Sequence, residues 1–154
     1  MYSEDITRFL ASLGELPDFA GVDLSDINAC SFDGDNALHF AVRNGDIGLA
    51  NALIQAGIEI NKAGDRGYTP LHAACMWGNP EMVNLLIENG ADLFALSEGD
   101  PPFTTARLSK QDRICDLLKP VMSRLQSQDP KVWIRARIAQ LKRELTRLEA
   151  QLNS

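Results

Sequence analysis

The side chains with chemistry to offer are few: two imidazoles, His39 and His72, three thiols, Cys30, Cys75 and Cys115, and a close pair of carboxylates, Asp33 and Asp35. A catalytic or metal-binding role for either histidine needs partner groups that the sequence lacks. The thiols show no Cys-x-x-Cys spacing, so no zinc site is indicated. Ser31-Phe32-Asp33-Gly34-Asp35 does not keep the spacing of a calcium loop, and Asp residues in such a setting shape turns. Neither a glycine-rich phosphate loop nor a nucleophile elbow is present. The expectation is a protein that is not an enzyme, with no catalytic residue, no metal and no cofactor.

Thiol placement says more about surroundings than about reactivity. Three cysteines, odd in number and far apart, argue for reduced thiols and hence a cytoplasmic setting. Cys75 and Cys115 fall on apolar helix faces and read as small core residues; Cys30 lies in a loop. The acidic start, Met1-Tyr2-Ser3-Glu4-Asp5, lacks the apolar run of a signal peptide, and no stretch approaches a membrane span.

The elements that carry these residues are short helices. In Thr69-Pro70-Leu71-His72-Ala73-Ala74-Cys75-Met76-Trp77-Gly78, Thr69 is a helix cap, Pro70 suits the first helical position, and Gly78 supplies the left-handed stop. Leu71, Ala74 and Cys75 share one face. A second helix starts at Pro80-Glu81, with Met82, Val83, Leu85 and Leu86 as its apolar side, and ends at Gly90. Two such helices cannot bury their apolar faces alone, so copies must stack. Copies are present. Leu38-His39 and Leu71-His72 are 33 residues apart, as are Gly45 and Gly78, and Gly57 and Gly90. A weaker copy follows at spacing 32, where Pro101-Pro102-Phe103-Thr104-Thr105-Ala106 stands for Thr69 to Ala74; Thr104 replaces the histidine and Lys110 the glycine.

This period and pattern resemble the ankyrin repeat. The resemblance covers about 26–119 and implies an all-α solenoid of helix-turn-helix units: repeats over 31–63 and 64–96 and a degenerate one over 97–127, within a repeat region 26–127. It further implies that each Leu-His imidazole makes hydrogen bonds between loops of adjacent repeats, and that loop tips and first helices line a concave, protein-gripping face. Residues 1–25 read as an N-terminal cap, with a helix over 4–13 capped by Ser3 and striped by Ile6, Phe9, Leu10 and Leu13.

Residues 123–130 read as a linker, and 131–154 as an amphipathic helix. Ile134, Ile138, Leu141, Leu145, Leu148 and Leu152 alternate at spacings of four and three, the seam of a coiled coil. Parallel self-pairing sets Arg137 against Lys142 and Glu144 against Glu149. Antiparallel self-association, or docking of this basic helix on an acidic body, is therefore preferred. The same helix serves equally as an end cap of the solenoid within one chain. A single tryptophan, Trp133, and two glutamates count against a nucleic-acid or membrane-surface role.

Net charge is −6, unevenly spread: six Lys/Arg against two Glu in 131–154, nine basic against nineteen acidic residues elsewhere. An acidic body disfavours nucleic acid and suits a basic protein partner. By the resemblance, the contact set is Phe32, Asp33, Asp35, Asp65, Arg66 and Tyr68 in the loops and Arg43, Asn44, Met76, Trp77, Leu108 and Ser109 at first-helix ends. Tyr68, Met76 and Trp77 are its natural anchors. Two functions are expected from this. One is a non-catalytic module that binds another protein through its concave face, in its sharpest form an acidic inhibitor that occludes a basic, toxin-like partner. The alternative is a scaffold assembling as a homo-oligomer through its C-terminal helix.

Overall fold

The computed structural model describes residues 2–153. Eight α-helices follow one another: α1 (Glu4–Leu13), α2 (Ala37–Arg43), α3 (Ile47–Gln55), α4 (Pro70–Trp77), α5 (Pro80–Glu88), α6 (Pro102–Leu108), α7 (Asp112–Gln128) and α8 (Val132–Leu152). They stand in two rows. An inner row stacks α2, α4 and α6; an outer row stacks α1, α3, α5 and α7; hairpin partners α2–α3, α4–α5 and α6–α7 link the rows. The loops make isolated bridges, Cys30 to Asn36 and Ser97 to Asp100, with no extended strand among the described residues.

Each unit closes on its neighbours through apolar faces at helical spacing. Leu38, Ala41 and Val42 of α2, Leu71, Ala74 and Cys75 of α4, and Ala106 of α6 are buried along the inner row; Leu53, Met82, Val83, Leu86, Ile114 and Leu118 are buried along the outer one. Removing a Leu or Met side chain of this kind from water contributes about 1.5–3 kcal/mol. The first unit is sealed by α1, where Ile6, Leu10 and Leu13 turn inward and the Ser3 hydroxyl accepts from the Ile6 N–H. α1 packs on α3 and so begins the outer row.

Polar stitches repeat with the same period. The Asn28 side-chain carbonyl accepts the Glu59 N–H at 2.7 Å, and that of Asn61 accepts the Asp92 N–H at 2.8 Å. The histidines form a second ladder. His39 Nδ1 accepts the Asn36 N–H at 3.1 Å while Nε2 donates to the Tyr68 carbonyl at 3.1 Å. His72 Nδ1 accepts the Thr69 N–H at 3.1 Å while Nε2 donates to the Asp100 carbonyl at 3.2 Å. These partners set one tautomer for both rings. Each histidine thus caps its own helix and ties it to the next loop.

Two sequence expectations change here. The linker read over 123–130 is mostly helix, since α7 continues to Gln128. Its interior Pro120 is exposed, so the ring points to water, while Leu118 and Met122 on the other side stay buried and hold the helix together. Only the short turn around Asp129 and Pro130 separates α7 from α8. Second, α8 is no end layer on either row. It turns back across the loops: Trp133 meets Phe94 edge-on at 4.8 Å between centroids, Ala136 and Gln140 are buried, and Arg143 donates to the Leu96 carbonyl at 2.9 Å. The basic helix docks on the acidic body of its own chain.

Candidate protein-interaction surface

The second and third loop tips are built alike. At Arg66-Gly67 and Glu98-Gly99 both residues have positive φ, 54° and 87° in one and 52° and 101° in the other. Paired left-handed residues make the tightest reversal of a hairpin. The non-glycine member costs about 1–2 kcal/mol, and such residues gather at sites where backbone placement matters. The tips lie close together: a side chain at Gly67 would come within 2.7 Å of the Leu96 carbonyl. The two left-handed residues also pair, Arg66 Nη1 to Glu98 Oε1 at 3.1 Å.

On the helix side of these tips lies a hollow of about 360 Å³. Loop residues Asp35, Asp65, Arg66, Tyr68, Glu98 and Asp100 line it, with Thr105 and Leu108 of α6 as its floor. Asp35, Asp65, Arg66, Tyr68 and Leu108 of the expected contact set therefore converge. Arg43 stands at the edge, its Nη1 4.0 Å from Asp35 Oδ2 and its guanidinium 5.5 Å above the Phe40 ring. Asn44 is exposed at the end of α2, and Met76 and Trp77 are exposed at the equivalent end of α4; none of the three lines the hollow. Phe32, which is 74% exposed, and Asp33 face a different recess, shared with Gly64, Asp65, Arg66 and Arg147 of α8.

Tyr68 departs from the exposed placement expected of it. Its ring lies 5.2 Å from His72, and its hydroxyl is buried with no hydrogen-bond partner among the described residues. Burial pushes its pKa up to about 12. Tyr68 is a wall of the hollow more than an anchor projecting from it. Glu98, Ser97 and Asp100 were missed by sequence reasoning. A shift of 32 residues, the spacing of the third copy, carries Arg66 onto Glu98 and Tyr68 onto Asp100 and would have marked both.

Electrostatics here are dominated by buried neutral groups and exposed carboxylates. Burial lowers the His39 pKa and raises that of Asp35, 3.7 Å from its Nε2, against their mutual attraction. Burial likewise takes His72 down to about 4 and the Cys75 thiol up to about 12. A neutral, hydrogen-bonded imidazole and a protonated buried thiol are structural groups. Among the described residues no cluster of histidine, cysteine and carboxylate groups is placed to hold a metal, and no helix is long and apolar enough to cross a membrane.

The coiled-coil-like seam of α8 faces solvent. Ile134, Ile138, Leu141, Leu145, Leu148 and Leu152 are 47 to 87% exposed.

A family model described as ankyrin repeats (3 copies) matches residues 3–97, more than half of the chain. Human protein phosphatase 1 regulatory subunit 27 is 40% identical over 67 residues, 43% of this chain and 44% of that protein. Mouse protein phosphatase 1 regulatory subunit 12A is 36% identical over 84 residues, 54% of this chain and 8% of the relative. The mouse RelA-associated inhibitor is 30% identical over 78 residues, 51% of this chain and 10% of the relative. The chain thus spans less than half the length of each of these relatives.

Proposed function

The chain belongs to the ankyrin-repeat family, and from that footing we propose that it is a non-catalytic module binding another protein through the hollow between its second and third loop tips. The observation that carries this reading is convergence: five residues expected at the contact surface from sequence, Asp35, Asp65, Arg66, Tyr68 and Leu108, line one recess. The similar proteins are named as regulatory subunits and an inhibitor, which fits a protein that acts by binding. In this reading 1–25 covers the first unit, 26–127 forms the repeat body and 131–154 is an appended helix.

Asp35, Asp65, Glu98 and Asp100 around the recess, set against Arg66, favour a basic segment on the partner. An inhibitor that occludes a basic protein is the sharp form of this proposal, and a cytoplasmic setting suits its three free thiols. The test is capture of a partner followed by affinity measurements on wild type, a double variant Asp65→Asn with Glu98→Gln, and Trp77→Ala. These exposed side chains can change without disturbing the core. Affinity should drop at least about tenfold for the loop variant and weaken with added salt. Tight binding that ignores both salt and the loop substitutions would place the interface elsewhere.

A second reading has its own observation, the bare apolar seam of α8. Exposed apolar stripes of this length mark interaction surfaces, and they favour association of the chain through this helix.

A further inference from the structure

α8 has two faces with different fates. Trp133, Ala136, Gln140 and Arg143, which meet the loops, recur at spacings of three and four, as do the seam residues. Taking Ile138, Leu145 and Leu152 as a positions and Ile134, Leu141 and Leu148 as d, the docked residues fall at c and f, on the opposite side of the helix. The seam is therefore not consumed by docking. It is left as a continuous apolar edge while the helix is held fixed behind it.

We propose that this edge receives α8 of a second copy, antiparallel and in a single register, giving a two-fold dimer; the inference rests on the association reading above. The spacing of the seam is self-complementary when reversed. Ile134 meets the partner's Leu152, Ile138 the partner's Leu148, and Leu141 the partner's Leu145, and the two-fold axis repeats each contact from the other side. Every seam residue finds an apolar counterpart with no overhang.

Charge selects the same direction. Antiparallel pairing brings Arg135, whose guanidinium already pairs with Asp129 in its own chain, opposite the partner's Glu149 at both ends of the contact. The two Lys142 side chains then meet on one flank and the two Glu144 side chains on the other, near the axis and exposed. Parallel pairing offers only like charges: Arg137 against the partner's Lys142 and Glu144 against the partner's Glu149, on both flanks. With each α8 fastened to its own body, such a dimer carries two recesses and engages two partner molecules or a bivalent one.

The full chain with Cys30→Ser, which leaves only buried thiols, serves as the background. Its solution mass should be twice 16.9 kDa, and Leu141→Glu should return it to the single-chain mass with the helix content retained. Proteins carrying Ile138→Cys and Leu148→Cys are then oxidised separately and as a mixture. The expected result is a disulfide in the mixture only, because in the reversed register each position lies about 15 Å along the helix from its own copy, beyond disulfide reach. Cross-linking of each variant with itself means parallel pairing, which overturns this inference and leaves the association reading standing. A single-chain mass for the background protein overturns both, and the seam then belongs to a different protein. A dimer that survives Leu141→Glu uses another surface and also overturns the proposal.

Discussion

His72 is fully buried, and its two ring nitrogens bridge a helix start to the next loop. Its folded pKa, about 4, lies below the ordinary 6.5 because burial disfavours the charged ring. Above pH 6.5 both folded and unfolded chains hold a neutral imidazole, so the contribution is fully present. As pH falls below that value the unfolded chain takes up a proton that the folded chain refuses. Stability is then lost progressively until the folded value near 4 is reached. The separation between the two values corresponds to about 3 kcal/mol at most. His39 acts in the same direction. Urea midpoints of wild type and His72→Gln, followed from about pH 7 to about pH 4.5, should converge as the wild type loses this part of its advantage. A gap that stays constant over that range means the ring is protonated in the folded state and the bridge is made differently.

At the scale of the element, a helix end shows how a degenerate unit is tolerated. Gly45 and Gly78 end α2 and α4 with φ of 69°, in the left-handed region that glycine enters freely. Lys110 stands in the same place after α6 and adopts φ 57°. A lysine held there costs about 1–2 kcal/mol, partly offset by the greater freedom that glycine loses on folding. Lys110→Gly should therefore stabilise the chain by roughly 0.5–1 kcal/mol, read as a higher denaturation midpoint at unchanged slope. A lower midpoint would show that the lysine stem packs against α6 or α7 strongly enough to outweigh the backbone strain. α6 closes on its neighbours regardless of the strain, through Ala106 and its contacts with α4 and α7.

Over the whole molecule, stability is a nearest-neighbour property. α4 and α5 have helices stacked on both sides in their rows, α2 with α6 and α3 with α7, whereas α1 begins its row. Native-state hydrogen exchange should be slowest in α4 and α5 and faster in α1 by at least about tenfold. Equal protection throughout would mean that the stack opens only as one unit. The charge distribution also works at this scale. Within one chain the basic C-terminal helix lies against the acidic repeat body, with α8 running along the loops at Phe94, Leu96 and Arg147's recess on the far side of the same tips that form the hollow. Arg66 and Glu98 border recesses on both sides of the tips, one against α8 and one that is the hollow proposed above as the partner site.

Local chemistry was enough to specify the order of the helices and the start of most of them. Caps such as Ser3, prolines at first turns, glycine stops and a 33-residue period set the helix of 4–13 and the paired helices of each unit, while the inter-loop role of His39 and His72 was implied by the family resemblance. The seam of α8 was equally legible, because a seven-residue alternation needs no knowledge of neighbours. What tertiary structure decided were questions of which surface meets which. The path of α8 across the loops depends on Trp133 finding Phe94 and Arg143 finding a loop carbonyl far along the chain. The continuation of α7 through Pro120 depends on burial of Leu118 and Met122, in a helix packed on α5 and α6. Tyr68 became a half-buried wall because the His72 ring lies beside it, and Glu98 entered the site because two strained tips approach closely enough to pair. These contacts join residues distant in sequence, and no local pattern encodes the distance between them.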